Sequence, residues 1–259
     1  MRKIVRGRGI NTNQSSDEET FIKRLNDLKK KSQKFGIGNL NETTLFARRK
    51  TITRILYYDY IYKLILNKPG VICEFGVQYG STISLLTHLR GIYEPYNHPR
   101  KIIGFDTFSG FTNKFIPSEK VWKKGDLSVE KNYEKFLEKI LDLHEQNSPI
   151  SHIKKFELVK GDATLTFPKY LKKNPQTLIS LAIFDMDVYY PTKQVLKKIL
   201  HRMYKGSVLV FDELNSKDHP GETQALLETL NIRKLKLKNF YGTGNTSYCV
   251  LDDKLSKLT

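Results

Sequence analysis

From Val71 onward, short apolar runs alternate with stretches whose apolar residues recur at the helical period, which is the pattern of an α/β domain. Strands are predicted at the run opening with Val71, at Lys101–Phe105, Phe156–Val159, Leu178–Phe184 and Ser207–Phe211. Leu178–Phe184 is apolar except for Ser180, as a parallel strand covered on both faces should be. Helices fall between them: 81–90, a segment through Tyr170 that ends near Asn174-Pro175, Thr192–Tyr204 and Glu222–Leu230. Lys234–Phe240 and Ser247–Leu251, with Gly242 and Gly244 between, read as an antiparallel hairpin closing the sheet.

Two features interrupt this alternation. Ahead of the first strand, residues 1–69 form a polar tail (1–19) and a helical cap. Its helices are Glu19–Lys34, with Phe21, Leu25 and Leu28 on one face, and Thr43–Leu66, ended by Pro69-Gly70. Within the main domain, 70–259, residues 107–150 are too long for an ordinary connection and predict a lid. The lid contains Trp122 and a helix from Ser128 to about Asn147, with Tyr133, Phe136, Leu137, Ile140 and Leu141 on one face. The helices at 43–66 and 128–147 are expected to cover the crevice, the first also meeting a second subunit in a homodimer.

Composition narrows the picture only modestly. The chain has 259 residues, enough for one large domain with an appendage. Its 44 Lys and Arg against 27 Asp and Glu give a net charge of +17, which favours anionic partners such as nucleotides, phosphorylated sugars, RNA or acidic membrane. The lysines are spread along the chain, so charge alone selects none of these. Cys73 and Cys249 lie in apolar runs and read as buried, reduced thiols. No apolar run approaches the roughly 20 residues of a membrane span, and the N-terminus lacks a signal-peptide core. A cytoplasmic protein without a membrane span is expected.

The chemistry collects at the strand ends. The first strand ends in Glu74-Phe75-Gly76, with Gly80 and then a helix-like run from Ser81. A glycine turn between strand and helix is where doubly wound proteins hold nucleotide-like ligands. The Glu-x-Gly-x-x-x-Gly spacing is neither a dinucleotide fingerprint nor a phosphate loop. An acid at this point suits a ligand with a positive end and no phosphate, and S-adenosylmethionine is one. Gly76 would let backbone approach the ligand. Asp106, ending the second strand, is placed for a ribose diol, or else caps the next helix. Asp162 follows the third strand and could accept from an adenine amino group. With Asp185 and Asp212, an acid closes every one of the five strands. Asp185, Asp212 and Glu213 could together give three oxygens to a hard cation, Mg²⁺ above others, or be ordinary capping groups.

The segments Cys73–Ser81, Ile103–Phe111, Val159–Asp162, Asp185–Thr192 and Val208–Glu213 resemble, in order, those of class I S-adenosylmethionine-dependent methyltransferases. Within that class the chain is most similar to the macrocin O-methyltransferase family of sugar O-methyltransferases. The resemblance implies a doubly wound, mostly parallel, seven-stranded α/β sheet. It implies cofactor at Glu74, Gly76, Tyr79, Gly80, Ser81, Asp106, Thr107, Asp162, Ala163 and Asp185, and Mg²⁺ at Asp185, Asp212 and Glu213. Glu213 departs from the Asp or Asn usual at its position. The reaction expected is methyl transfer to a sugar hydroxyl, with Asp187 or His144 as base. RNA methylation and non-catalytic cofactor binding are the alternatives. No RNA-binding module is visible, so no stable nucleic-acid partner is expected, and the five acids argue for an active site.

Overall fold

The computed structural model describes residues 3–5, 9–11, 16–35, 40–112, 122–244 and 246–252. A small antiparallel ribbon, β1 (Lys3–Val5) with β2 (Gly9–Asn11), opens the chain. Helix α1 (Ser16–Ser32) follows, and its Phe21 and Leu28 remain exposed. Helix α2 (Arg49–Leu64) is preceded by a 3-10 segment, Leu40–Phe46, where the sequence predicted continuous helix from Thr43.

The main sheet has seven strands in the order β5-β4-β3-β6-β7-β9-β8. These are β3 (Val71–Phe75), β4 (Ile102–Asp106), β5 (Phe156–Lys160), β6 (Ile179–Phe184), β7 (Val208–Phe211), β8 (Lys238–Asn239) and β9 (Ser247–Val250). The first five are parallel, and β9 runs antiparallel between β7 and β8, so the predicted mostly parallel sheet with a closing hairpin is what forms. The hairpin's first arm is shorter than expected, because a 3-10 turn takes Ile232–Lys234 and only Lys238 and Asn239 pair. From β3 the chain winds first toward β5 and then toward β7, so the switch in strand order lies at β3 and β6.

Strand periodicity sorts the core into two layers. Ile72, Ile102, Leu181, Ile183, Val208, Val210 and Tyr248 face one hydrophobic cluster, which α2 enters with Tyr57, Tyr58, Ile61 and Tyr62. Cys73, Phe75, Ile103, Phe105, Ala182, Phe184, Leu209, Phe211 and Cys249 face the other. Helices α3 (Ser81–Tyr93) and α4 (Tyr133–Gln146) join α2 on the first face. Helices α5 (Ala163–Lys173), α6 (Tyr189–Ile199) and α7 (Gly221–Thr229) cover the second. The expected cap helix α2 is thus one of three helices packed on the first face of the sheet.

Helix α4 also differs from the lid expected of it. Asn132 stands in the left-handed region (φ 67°), so the helix starts at Tyr133 rather than Ser128. It buries Leu137, Leu141 and Glu145, while Phe136 is exposed. Glu145 pairs with Arg90 of α3 and lies 2.9 Å from Lys155 Nζ, pinning α4 into the helix layer. Predicted lid positions 113–121 lie outside the described residues. Helix α6 begins at Tyr189 and takes Pro191 into its first turn, where a missing N–H is harmless; it ends at Ile199 in a 3-10 turn, Leu200–Arg202.

Candidate active site

A cavity of about 370 Å³ opens at the carboxyl ends of the parallel strands, where the strand order switches. The period-two rule explains why it is acidic. Ile72 and Ile183 face the α2 side, so Glu74 and Asp185, two residues further on, point the same way. Val210 places Asp212 on that side too. Glu74, Asp106, Asp162, Asp185 and Asp187 all belong to the cavity wall.

The glycine turn is built around backbone contacts. Gly76 has φ 99°, and a Cβ there would lie 1.8 Å from the Asp185 carbonyl oxygen. Its role is to let the end of β6 close against β3, whereas the sequence placed only the ligand at that point. Asp106 Oδ2 accepts from the amides of Val77 (2.7 Å) and Gln78 (2.8 Å), and Oδ1 from Phe108 N (2.6 Å). The carboxylate therefore shapes the turn before any ligand arrives, with limited acceptor capacity left for a ribose diol. Asp162 Oδ1 accepts from Thr164 N at 2.8 Å and caps α5. Gly80 is not in the wall; a Cβ on it would lie 2.4 Å from Leu137 Cδ1, so its bareness lets α3 meet α4.

Acids crowd the β6 and β7 ends. Burial, and then repulsion from Asp212 and Asp187, push the Asp185 carboxyl well above the usual range, with Arg54 opposing. Asp212 is raised by burial, against the pull of Arg54, and Thr246 Oγ1 donates to it at 3.1 Å. Glu222 of α7 is buried as well and accepts from the amides of Met186 and Glu213, each at 3.2 Å, which ties the two strand ends together. Arg54 of α2 is the cation that answers this charge: its Nη2 donates to Thr82 Oγ1 and lies 4.0 Å from Asp185 Oδ2. Among the described residues, no group of three or more His, Cys, Asp or Glu is gathered as metal ligands. The three-carboxylate set expected from Asp185, Asp212 and Glu213 is therefore not assembled, although Asp185 and Asp212 are half-buried neighbours at adjacent strand ends.

Behind Asp187, His219 Nδ1 stands 3.1 Å from Asp187 Oδ1; neither His219 nor Trp122 is itself part of the cavity wall. Asp187 itself has φ 63°, in the left-handed region that few residues other than glycine adopt. Burial lowers the His219 pKa, but the Asp187 bond and the charges of Asp187, Glu213 and Asp218 raise it above the ordinary value. Trp122 is buried between Phe111 and His219, with ring centroids 5.3 and 5.1 Å away.

No protein-family model and no curated protein sequence matches the chain. Solved structures do. The crystal structure of CalS11, a calicheamicin methyltransferase, matches with 37% identity and a TM-score of 0.85, over 93% of this chain and 95% of that one. The apo structure of CalS11, described as TDP-rhamnose 3′-O-methyltransferase, gives 37% identity and 0.81 over 93% and 97%. The chain belongs to the class I sugar O-methyltransferases. The O-methyltransferase NovP, at 16% identity and a TM-score of 0.56 over 77% and 79%, shares the fold.

For a sugar O-methyltransferase that uses S-adenosylmethionine, the cavity gathers most of what the sequence nominated. Glu74, Gly76, Tyr79, Ser81, Asp106, Thr107, Asp162, Ala163 and Asp185 all line it, as does Asp187. His144 is not brought there. It lies near the far end of α4, its ring 4.1 Å from that of His88, because the face of α4 that carries it packs beside α3. Asp212 and Glu213 lie outside the wall. Sequence reading missed Arg54, which looks like any basic residue on a helix, and His219, which sits in a connection before α7. It also passed over Glu222, whose burial follows only from α7 packing on the strand ends.

Proposed function

We propose that this enzyme transfers the methyl group of S-adenosylmethionine to a hydroxyl of a nucleotide-linked deoxysugar. The observation that carries the reading is the likeness, over nearly the whole chain, to an enzyme described as acting on TDP-rhamnose. The net charge of +17 favours a phosphorylated carrier. In this reading Glu74 and the glycine turn hold the cofactor, and the acceptor lies toward Asp187, Trp122 and Phe111. The acceptor oxygen attacks the methyl carbon in line as the carbon–sulfur bond breaks, leaving neutral S-adenosylhomocysteine. The Asp187–His219 pair takes the hydroxyl proton, Asp187 fixing the imidazole.

Asp185 and Asp212 fit a divalent cation as a two-carboxylate site, being half-buried, all-oxygen and mutually repelling. Bound there, Mg²⁺ would neutralise that repulsion and lower the pKa of an acceptor hydroxyl.

The test is transfer of labelled methyl to a panel of nucleoside-diphosphate deoxyhexoses, with free sugars and RNA as controls. Transfer to the nucleotide sugars is expected, falling in EDTA and returning with Mg²⁺. His219→Gln should lower kcat by about 10²- to 10⁴-fold and leave S-adenosylhomocysteine affinity within about twofold. Transfer to RNA alone, or full activity in His219→Gln, overturns the corresponding assignment.

A further inference from the structure

The chain carries 44 Lys and Arg residues, yet among the described residues of the cavity wall Arg54 is the single basic side chain. It comes from α2, outside the alternating strand–helix units, and stands among acids. Its guanidinium is held in place: Nη2 on Thr82 Oγ1, 4.0 Å from Asp185 Oδ2, with the group 5.3 Å over the Tyr58 ring.

Three buried side-chain atoms of this wall have no hydrogen-bond partner; Thr112 Oγ1 can donate or accept, and the two from charged groups are of opposite kind. One is Arg54 Nε, a charged donor; the other is Glu74 Oε2, an acceptor. Leaving either dry and unpaired is unfavourable by more than a typical hydrogen bond contributes, so both point to a ligand group. A ligand with only a positive end would satisfy Glu74 and be repelled by Arg54. A phosphate would meet one cation among five acids of the wall. The group that answers both atoms is a zwitterion, with an ammonium and a carboxylate on one carbon.

We propose that Arg54 binds the α-carboxylate of the cofactor's methionine while Glu74 takes the adjacent ammonium, so that α2 closes the methionine end of the site. The assignment rests on the methyltransferase reading. It gives a helix outside the strand–helix units a direct part in cofactor recognition, and it means that the phosphates of a nucleotide-linked acceptor stay outside this cavity.

Calorimetry on the full chain tests it with three probes: S-adenosylhomocysteine, S-adenosyl-3-thiopropylamine (the same molecule without its carboxylate) and 5′-methylthioadenosine, which lacks the whole amino-acid end. Arg54→Met should weaken S-adenosylhomocysteine by about 10- to 100-fold, the range for a charge-assisted pair. Arg54→Lys should lose less, since it keeps the charge without the fork. Both variants should bind 5′-methylthioadenosine within about twofold of the parent, and the carboxylate-free amine no more weakly than the parent does. Equal losses for the amine and S-adenosylhomocysteine, or no loss for either, overturn the assignment and leave Arg54 a counter-ion for Asp185. A parent protein that binds none of the three probes overturns the cofactor reading itself. Circular dichroism and melting of both variants separate either result from misfolding, and the Lys variant keeps the test valid if the Met variant does not fold.

Discussion

Glu74 makes a quantitative prediction about how the cofactor binds. Burial pushes its pKa up from an ordinary 4.5 to about 8, with Arg54 pulling it down and Asp106 pushing it further. At pH 7 the empty site therefore holds roughly nine protonated carboxyls in ten. Taking an ammonium requires the carboxylate, so the proton must leave. That costs about 1.4 kcal/mol at pH 7 and about 2.7 kcal/mol at pH 6. Affinity for S-adenosylhomocysteine should rise about tenfold from pH 6 to 7 and level off above 8. Calorimetry at pH 7 in buffers of different ionisation enthalpy should show close to one proton released per ligand bound. Glu74→Gln should bind more weakly, with no release and no slope, whereas His219→Gln should keep the slope. Stability carries the matching sign: the folded chain keeps this proton to about pH 8 and the unfolded chain loses it near 4.5. Ligand-free stability should then fall as pH rises from 4.5 to 8 and be flat beyond, this group contributing at most about 5 kcal/mol. An affinity that is level from pH 6 to 8, with no proton released, would refute the reasoning.

Two further outcomes follow from packing. Gly76→Ala places a Cβ 1.8 Å from the Asp185 carbonyl oxygen at a φ of 99°, so the turn must shift; S-adenosylhomocysteine affinity should drop at least about tenfold, by calorimetry, with a lowered melting temperature. Arg100 is fully buried and donates to Gly70 O (2.6 Å), Lys68 O (2.6 Å), Ser180 Oγ (2.5 Å) and Glu94 Oε2 (2.8 Å). Arg100→Met should cost about 3–5 kcal/mol in urea unfolding, since it strands a carboxylate and several carbonyls; a loss under about 1 kcal/mol would refute that account.

The sheet was legible because strands covered on both faces leave dense apolar runs, and β3, β4, β5, β6 and β7 all fall within a residue or two of the runs that predict them. The acidic wall of the cavity was legible for the same reason, since each acid directly ends or follows such a run. Element edges set by backbone conformation were not. Asn132 at φ 67° delays α4, and nothing in the identity of an asparagine requires that conformation. His144 failed as a candidate because one residue's position on a helix face decides whether it meets a site or a neighbouring helix. Trp122 and His219 come together across about a hundred residues, through Phe111, Val188 and the loop before α7, and local pattern carries no trace of such a contact.

Parity links these successes and failures. In a parallel sheet, acids spaced two residues beyond inward-facing apolar residues must share a face, so Glu74, Asp185 and Asp212 were bound to look at the same layer of helices. That layer then has to supply positive charge or accept raised pKa values, and both are seen: Arg54 on α2, and carboxyls held above their ordinary range. A helix packed over such strand ends cannot be chemically neutral toward the site. Arg54, the one basic side chain among the described residues of the wall, together with the weaker pull of Lys50 on Asp212, is too little to neutralise the cluster, and the remaining negative charge is what an ammonium group, or a divalent ion at Asp185 and Asp212, would stabilise. Arg54→Glu should therefore be worse than Arg54→Met for S-adenosylhomocysteine, while the carboxylate-free amine should discriminate far less between the two.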